Sequence, residues 1–493
     1  MEIRVKNASL AEIDCDVVIV NLFKGIKLPS GATGAVDEAL GGLISEFVIN
    51  KDKFEGKFGD TYILQTYGKI KASKVLLVGL GEQKEFDLTK LRELSAKIIK
   101  KCEKIVKAKK ICSILHGAGI GGLDPKECAK VITEGTLLGG YKFEKYKTKK
   151  SDSAEEFVIV EINNEIIPQI EAGVKEGKIV ANATNFARDL INEPAMVVNP
   201  AKLAEIALNI KGIDATVLEG KDALKMGMGA FYAVGIGSEN DSKFIHMKYI
   251  PKNPRKKVAI IGKGVTFDSG GLDIKPASSM REMKGDMSGA ACVLGVMNYA
   301  KEMNLDIEIH AIIAAVENMP SGSSYRPGDI LTALNGKTIE VDNTDAEGRL
   351  TLADALCYAC DLKVDEIIDI ATLTGACCVA LGQEAAAIIG NNQDLIEKMT
   401  ASAAQAGERF WQMPLYEEHT TAIKSDVADM KNTGGRLAGT MTAAAFLKEF
   451  VTDIPWIHLD IAGCAISDKE IRGLAKGPTG AGVRAFIYYL NSL

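Results

Sequence analysis

Short apolar runs alternate with amphipathic stretches along the whole chain, and this alternation is the feature that most restricts the fold. Runs of both kinds recur at intervals typical of strands joined by helices. Such alternation predicts an α/β fold with mainly parallel sheets and helices on both faces. In the first part of the chain the predicted strands are 16–22, 75–78, 111–115 and 157–162, and the predicted helices are 88–106 and 125–138.

The second part of the chain repeats this pattern after a long helical stretch from about 166 to 190. Residues 330–341 predict a β-hairpin, because Asn335-Gly336 supplies the positive φ of a two-residue turn. A chain of 493 residues is long enough for two or three domains. We therefore expect two domains, each a mixed, mainly parallel sheet flanked by helices, joined by a long connecting helix. The other predicted strands are 244–250, 257–261, 306–315, 366–371 and 456–461, and the other predicted helices are 280–301, 349–361, 395–406 and 440–450.

Charge and composition exclude several classes of protein. Lys and Arg number 59 and Asp and Glu 65, so a formal charge of −6 disfavours a general electrostatic grip on nucleic acid or anionic lipid. No run of about 18 apolar residues occurs, so no membrane span is expected. The first residues lack a signal-peptide pattern, and the ten cysteines lie largely in apolar stretches. We expect free thiols in a reducing cytoplasm.

Two short motifs suggest other chemistry but have simpler interpretations. Gly117–Gly122 matches GxGxxG, yet the acidic residue expected at the end of a following strand is missing. A tight strand–helix turn is therefore favoured over dinucleotide binding. Cys357 and Cys360 resemble half of a zinc site, but no second CxxC pair follows, which favours a buried helix face.

The first cluster of reactive residue types lies between 262 and 289. Lys263 and Asp268 stand among glycines, which let the backbone approach whatever these side chains hold. Lys275 and Asp286 follow within the next twenty residues or so. A predicted strand leads into this cluster, and sites in open α/β sheets lie beyond the carboxyl ends of strands.

The second cluster spans 342–349 and combines Asp342, Asp345, Glu347 and Arg349. It could be a solvated turn. However, apolar strand residues precede it and an apolar helix follows, so these acids belong where a strand meets a helix start.

Carboxylates gathered in a partly dry pocket repel one another unless a cation compensates them. Divalent metal ions would do so, and carboxylate oxygens suit hard or borderline cations. None of the five histidines lies in either cluster, so such a site would be carboxylate-based, with a lysine amine nearby. A set of structural salt bridges is the alternative.

Several motifs resemble the leucine aminopeptidase (cytosol aminopeptidase) family of dinuclear metallopeptidases. The heptapeptide Asn343-Thr-Asp-Ala-Glu-Gly-Arg349 is highly specific to that family, and Gly262-Lys-Gly with Phe267-Asp-Ser-Gly-Gly271 and Lys275-Pro supports it. The resemblance is strong over roughly 185–493 and weaker before that. Further matching stretches are Arg188–Pro194, Ala371–Ala376, Trp411–Leu415, Ala444–Leu447 and His458–Gly463.

The resemblance implies two divalent metal ions per subunit, with Zn²⁺ or Mn²⁺ preferred and Mg²⁺ or Co²⁺ as alternatives. It assigns one metal to Asp268, Asp345 and Glu347, and the other to Lys263, Asp268, Asp286 and Glu347. The two ions would share a water as nucleophile, while one takes the free α-amino group of a peptide and the other polarises the scissile carbonyl.

The resemblance also implies roles for residues that do not bind metal. Lys275 would stabilise the oxyanion, and Arg349 would hold a bicarbonate that acts as general base. Met283, Asn343, Thr372 and Gly375 would line the pocket for the first side chain, although core packing is an alternative for Met283 and Thr372.

The implied organisation is an N-terminal α/β (macro-like) domain at 1–163, a connecting helix at 164–191 and a catalytic domain at 192–493. Peptides with a free N-terminus are the expected partners, in a cytoplasmic homohexamer that does not bind membranes. His458 and Asp460 lie two apart on a predicted strand, where a structural hydrogen-bonding role is favoured over a catalytic dyad.

Two other functions remain open at this stage. Some bacterial relatives also bind DNA, which the net charge disfavours. A carboxylate–metal phosphoesterase would prefer phosphate esters to amides.

Overall fold

The computed structural model describes residues 1–119 and 121–493, and these divide into two compact units. The first unit comprises Met1–Asn182 with Glu470–Ala475, and the second comprises Ala183–Lys469 with Lys476–Leu493. One long helix, α4 (Ile167–Asn192), continues from the first unit into the second. The chain boundaries expected from sequence, at 163/164 and 191/192, stay predictions.

The first unit contains a six-stranded sheet in the order β1-β6-β5-β2-β4-β3, parallel except for the β3–β4 pair. Side chains of β2 alternate between two apolar cores, with Val17 and Ile19 on one face and Val18 and Val20 on the other. Burial on both faces is what a nearly continuous apolar strand predicts. The strands are β1 (Glu2–Asn7), β2 (Val17–Phe23), β3 (Thr61–Gln65), β4 (Lys74–Gly81), β5 (Lys110–Ile114) and β6 (Glu156–Glu161), and the helices are α1 (Gly31–Ala39), α2 (Leu88–Lys101) and α3 (Pro125–Gly139), with π-helical turns at Leu43–Ile49 and Cys102–Val106 and a 3₁₀ turn at Gln83–Glu85.

The GxGxxG stretch follows β5 in this unit. Its residue Ile120 lies outside the described residues. The described part turns back on itself, since the Leu123 amide donates to the Gly117 carbonyl at 3.1 Å.

The second unit contains an eight-stranded sheet in the order β15-β14-β17-β13-β9-β10-β8-β7. Its four central strands, β17, β13, β9 and β10, are parallel, so their carboxyl ends form one edge. The strands of this sheet are β7 (Asp214–Glu219), β8 (Lys243–Tyr249), β9 (Lys257–Asp268), β10 (Glu308–Asn318), β13 (Glu366–Ala371), β14 (Ala386–Gly390), β15 (Phe410–Gln412) and β17 (Trp456–Asp460), and the small strands are β11 (Ile330–Thr332), β12 (Thr338–Glu340), β16 (Met430–Lys431), β18 (Ile466–Ser467) and β19 (Gly477–Pro478).

Helices cover this sheet and bury its apolar side chains, among them Phe231, Ile261, Leu350 and Trp456 in one core. No helix in the described part of the chain is both long enough and apolar enough to cross a bilayer. The helices are α5 (Pro200–Leu208), α6 (Gly220–Lys225), α7 (Gly229–Gly235), α8 (Ala277–Met280), α9 (Ser288–Met303), α10 (Glu347–Asp361), α11 (Gly375–Leu381), α12 (Gln393–Gln405), α13 (Glu417–Ala422), α14 (Gly439–Lys448) and α15 (Val483–Ser492), with a 3₁₀ turn at Met283–Gly285.

The predicted fold class is confirmed: both units are α/β, with mainly parallel sheets flanked by helices. Several local predictions were wrong. The strand predicted at 257–261 runs on to Asp268, because its glycines remove side chains that would collide with neighbours. A Cβ on Gly262, for example, would lie 2.5 Å from the carbonyl oxygen of Gly289.

The helix predicted from 280 begins at Ser288 instead, after a short helical turn and a 3₁₀ turn. The hairpin at 330–341 exists, but its turn is not the predicted two-residue type. Gly336 has φ +85° and Asn335 does not have positive φ, and the Ala333 amide donates to the Lys337 carbonyl at 2.9 Å. The loop therefore contains three residues, with glycine at the left-handed position.

Candidate metal centre

The carboxyl edge of the four central strands gathers the residues singled out in the sequence. Lys263 and Asp268 lie on β9, and Thr372 follows the end of β13. Glu347 opens α10, and Asp286 lies just before α9. Parallel strands bring their carboxyl ends to one edge, which is why segments far apart in sequence meet here.

Lys263 is a buried ammonium group surrounded by oxygens. Its Nζ lies 2.9 Å from Oδ2 of Asp286 and 2.8 Å from Oε1 of Glu347. It also donates to the carbonyl of Thr372 at 2.9 Å. The lysine thus joins carboxylates from two separate loops.

Gly348 provides the space that Lys263 occupies. A Cβ at this position would lie 2.5 Å from Cε and 2.6 Å from Nζ of Lys263. Gly289 makes similar room for the strand, since its Cβ would lie 2.7 Å from the Lys263 amide nitrogen. These two glycines let α10 and α9 approach the lysine-bearing part of β9.

Lys275 forms a second cationic contact. Its Nζ lies 2.8 Å from Oδ2 of Asp268 and 2.5 Å from Oδ1 of Asp345. The other oxygen of Asp268, Oδ1, accepts from the Gly270 amide at 2.9 Å and from Nδ2 of Asn318 at 2.9 Å. Asp268 therefore presents one oxygen to the cationic side of the site and uses the other to anchor itself.

Burial and mutual repulsion perturb the acids of the site. Burial raises the pKa of Asp286 well above its usual value. Burial, reinforced by the Glu347 charge, raises the pKa of Asp268 to about 6. Burial raises the pKa of Asp345 too, against the pull of Lys275. For Glu347, Lys263 and Lys275 outweigh burial and lower the pKa.

The two lysines are held in their charged form. Burial alone lowers the pKa of Lys263, but the carboxylates of Asp286 and Glu347 outweigh it, so the net pKa is raised. Lys275 follows the same balance, with Asp268 as its main carboxylate partner. The site is therefore an arrangement of carboxylates that requires cations.

The donor set fits divalent metal ions. One oxygen from each of Asp268, Asp286 and Glu347 lies within 4.8 Å of the others, and all three residues are buried. Buried oxygens of Asp286, Asp345 and Glu347 contact a lysine ammonium group at 2.5–2.9 Å and have no other polar partner among the described residues. Carboxylate oxygens that face a cation in this way are suited to coordinate a metal ion in its place.

Arg349 lies in the first turn of α10, two residues after Glu347. It is 8% exposed, and Nη1 donates to the carbonyl of Asn432 at 2.8 Å, while its buried Nε has no hydrogen-bond partner. Burial lowers the pKa of Arg349 to about 10, so the guanidinium stays charged at neutral pH. It is thus a fixed cation with an unused donor.

Of the four residues expected to line a substrate pocket, Met283, Asn343 and Thr372 bond to the acids of this site or to their backbone. Met283 opens the 3₁₀ turn before Asp286, and Thr372 donates through Oγ1 to the Asp286 carboxylate at 2.7 Å. Asn343 accepts the amide of Asp345 at 2.7 Å. Gly375 is exposed, and a Cβ there would meet nothing within 4 Å.

His458 and Asp460 do not pair with each other. Nδ1 of His458 lies 2.5 Å from Oδ1 of Asp369, and Oδ2 of Asp369 accepts the Trp456 indole N–H at 2.8 Å. Asp460 accepts from the Leu373 amide at 3.1 Å and from Oγ1 of Thr374 at 2.6 Å. His458 therefore links β17 to β13, and Asp460 holds the segment that follows β13.

Three buried residues of the site were missed in the sequence: Asn318, Thr344 and Asn432. Thr344 donates through Oγ1 to the Gly270 carbonyl at 2.6 Å. Asn432 donates to the Asn343 carbonyl at 2.6 Å. Asn318 gave a usable signal, as a polar residue ending an apolar strand at the edge where sites form. Asn432 lies about 85 residues beyond the loop it holds and gave no local signal.

Comparison with known proteins places these features in a family. The catalytic-domain model of the cytosol aminopeptidase family matches residues 185–487, and its N-terminal-domain model matches residues 19–150. A probable cytosol aminopeptidase of Sulfurihydrogenibium sp. (strain YO3AOP1) is 44% identical over 497 residues, covering 99% of this chain and 98% of the relative. One from Aquifex aeolicus (strain VF5) is 46% identical over 449 residues, covering 90% and 89%.

Solved structures of related proteins share the fold. A mutant of tomato leucine aminopeptidase superposes with a TM-score of 0.88 at 35% identity, covering 100% of this chain and 97% of that one. The bottromycin maturation enzyme BotP, in complex with Mn, superposes with a TM-score of 0.85 at 32% identity, covering 97% and 99%.

Proposed function

Because the chain belongs to the cytosol aminopeptidase family, and is therefore a metal-dependent aminopeptidase that acts on peptides, we propose that its carboxylate–lysine cluster holds the catalytic metal ions. The observation that carries this proposal is the convergence of buried Asp268, Asp286 and Glu347 within 4.8 Å. One ion is assigned to Asp268, Asp345 and Glu347, and the other to Lys263, Asp268, Asp286 and Glu347.

The contacts of the carboxylate oxygens support this ligand set. One oxygen each of Asp286, Asp345 and Glu347 has an ammonium group of Lys263 or Lys275 as its polar partner, at 2.5–2.9 Å. Lys263 would hold a metal ion through its neutral amine, after its ammonium proton is released to solvent, and the ion would then supply the local positive charge that the ammonium supplies here. Thr372 keeps Asp286 in place during this exchange through its 2.7 Å hydrogen bond.

When bound, a pair of divalent ions lowers the pKa of a water molecule towards neutrality and polarises the scissile carbonyl. Lys275 then supplies a fixed positive charge beside Asp268 and Asp345. Its raised pKa keeps it protonated, so it stabilises the negative charge that develops on the carbonyl oxygen. We assign Lys275 this catalytic role.

Arg349 is assigned the binding of bicarbonate, the proposed general base. A guanidinium offers planar, paired donors that match a carbonate ion, and it cannot itself act as a base. The hydrogen bond from Nη1 to Asn432 fixes the group and leaves Nε available. The anion would lie beside the acids and accept a proton at a carbonate oxygen.

Met283, Asn343, Thr372 and Gly375 are proposed to line the pocket for the first side chain of the peptide. The open space beside Gly375 suits this role. The Thr372 hydroxyl is already committed to Asp286, so this residue would contribute its methyl group to the pocket.

We further propose Zn²⁺ or Mn²⁺ as the native metals, with Mg²⁺ or Co²⁺ as alternatives. The related BotP structure, described as a complex with Mn, supports manganese as a compatible ion.

We also propose that the protein is a homohexamer in the cytoplasm and does not bind nucleic acid. Sedimentation of the purified chain tests the oligomeric state, and a gel shift at physiological salt tests whether the protein binds nucleic acid.

The decisive experiment combines metal analysis with an aminoacyl-anilide panel on wild type, Lys275→Ala and Glu347→Ala. We expect two ions per chain in wild type and in Lys275→Ala, with kcat in the latter reduced roughly 10²–10³-fold. Glu347→Ala should lose both metal and activity. Lys252→Ala, an exposed lysine of the same unit, is the matched control.

Two results would contradict the proposal. Lys275→Ala with wild-type kcat would remove the oxyanion role, and a wild-type chain that binds no divalent ion would remove the metal site. Faster hydrolysis of phosphate esters than of anilides would favour the phosphoesterase alternative.

A further inference from the structure

Asn318 is a fully buried amide at the carboxyl end of β10. In the parallel pairing of β10 with β9, its Cα is the partner of Asp268. A buried amide adds no hydrophobic stabilisation to a strand whose side chains are mostly apolar. The role of the Asn318 side chain therefore lies in the hydrogen bonds that it makes at the end of the strand.

The Asn318 amide holds one oxygen of the Asp268 carboxylate and leaves the other oxygen to face the cationic side of the site. Nδ2 donates to Oδ1 of Asp268 at 2.9 Å, where the Gly270 amide also donates. The other oxygen, Oδ2, is left for Lys275, 2.8 Å away. Two donors on one oxygen fix the rotation of the carboxylate and thereby fix the direction in which Oδ2 points.

The same nitrogen reaches a second segment of the site. Nδ2 of Asn318 donates its other hydrogen to the carbonyl of Thr344 at 3.0 Å. Thr344 directly precedes Asp345 and lies three residues before Glu347. One amide group thus links the carboxylate on β9 to the loop that carries the acids before α10.

We propose that Asn318 is a positioning residue for the metal centre, which orients Asp268 as a bridging ligand and sets its distance from the Asp345–Glu347 loop. This inference rests on the proposed two-metal function. Asn318 acts through Asp268 and Thr344.

The chemistry of the position favours asparagine. An aspartate would have no donor and would repel Asp268, whereas the asparagine –NH₂ supplies two hydrogens from one atom. Gly271, at φ +67°, leaves room for the amide, since a Cβ there would lie 2.8 Å from Oδ1 of Asn318. The two amide hydrogens and the space left by Gly271 therefore both favour asparagine at position 318.

The backbone of Asn318 is held independently of its side chain. Its carbonyl accepts from the Ser269 amide at 3.0 Å and from Oγ of Ser269 at 2.7 Å. Side-chain variants are therefore expected to keep the strand end folded. Asn318→Ala removes both side-chain contacts, and Asn318→Ser does so while keeping a polar group in the buried position.

Tyr325 provides a matched control. Its hydroxyl donates to the same Thr344 carbonyl at 2.7 Å, and the ring is buried. Tyr325→Phe therefore removes a hydrogen bond from the loop without touching Asp268. A difference between the Asn318 and Tyr325 variants isolates the orientation of Asp268 from general support of the loop.

The test measures Mn²⁺ binding by equilibrium dialysis and by electron paramagnetic resonance on the full chain. Wild type and Tyr325→Phe should bind two ions with the spectrum of an exchange-coupled pair. Asn318→Ala and Asn318→Ser should bind Mn²⁺ roughly 10–100-fold more weakly and lose the coupled spectrum, because the bridging ligand is no longer aligned.

Each outcome has a defined meaning. Wild-type affinity and coupling in both Asn318 variants would overturn the inference while leaving the proposed function intact. An equal loss in Tyr325→Phe would also overturn it, as would unfolding of both Asn318 variants, since either would indicate only structural support. Failure of wild type to bind Mn²⁺ or any other divalent ion would instead remove the proposed function.

Discussion

Replacing Gly348 by alanine should lower the activity of this enzyme by displacing the side chain of Lys263. Gly348 is the second residue of α10, and a Cβ there would lie 2.5 Å from Cε of Lys263. Carbon atoms in contact lie about 3.5–4.0 Å apart, so the lysine side chain must move by roughly 1 Å. This movement takes Nζ away from contacts of 2.8–2.9 Å with Glu347, Asp286 and the Thr372 carbonyl.

The expected magnitude follows from that displacement. A misplacement of about 1 Å in a catalytic group can cost on the order of 100-fold in rate. We therefore expect kcat/KM for an aminoacyl anilide to fall about 100-fold in Gly348→Ala. Helix propensity acts in the opposite direction, since alanine stabilises a helix by up to about 1 kcal/mol relative to glycine. Separating the buried Lys263 ammonium from its carboxylates costs more than this gain, so the melting temperature should also fall.

A double-mutant cycle shows whether Lys263 transmits the effect. Lys263→Ala shortens the side chain and leaves room for the added methyl group. Gly348→Ala should then cause no further loss in the Lys263→Ala background. Metal content, circular dichroism and kcat/KM are measured for all four proteins. Wild-type activity in Gly348→Ala, or a full additional loss in the double variant, would refute this reasoning.

Two other predictions concern buried groups that are not among the proposed metal ligands. His246, which contacts His310 at 2.9 Å, has its pKa lowered to about 3, first by burial and then by His310. Its stabilising contribution is complete above the unfolded pKa near 6.5 and declines below it, by about 2 kcal/mol at pH 5. Urea unfolding at pH 8 and pH 5 should show a smaller difference for His246→Gln than for wild type, and an identical difference would contradict this. Asp369→Ala should lower the free energy of unfolding by about 3–5 kcal/mol, because it leaves His458 buried without its carboxylate. The exposed variant Asp453→Ala is the control, and similar unfolding midpoints for both would count against the buried ion pair.

The sequence predicted the α/β class because apolar periodicity reports which faces are buried, and this information is local. It also predicted the helix at 166–190 to within two residues, since a long amphipathic pattern is a strong signal. Boundaries within glycine-rich stretches were wrong. Gly262 and Gly264 lie inside β9, where they permit close packing of neighbouring backbone, and sequence alone cannot distinguish such glycines from those of a loop.

The candidate ligands could be identified from the sequence because they are charged residues in segments that are otherwise expected to be buried and apolar. Lys263, Asp268 and Glu347 are charged residues beside apolar strands and helices, and such conflicts mark functional sites. Their supporting residues could not be identified in the same way. Asn432 holds Arg349 through a backbone carbonyl, an interaction that any residue type could make. Such contacts depend on the three-dimensional path of the chain.

The excess of negative charge at the candidate metal centre explains both how the acids are held and why metal ions would bind there. Carboxylates outnumber ammonium groups around Lys263 and Lys275, and burial raises the pKa of Asp268, Asp286 and Asp345. Such a cluster is costly for a fold unless cations join it, so metal binding and the stability of this strand edge are coupled. The residues that orient the acids, Asn318 and Thr372 among them, contact one carboxylate oxygen each and leave the other oxygen to face a lysine ammonium group. This division keeps the acids in place while leaving oxygens available for metal.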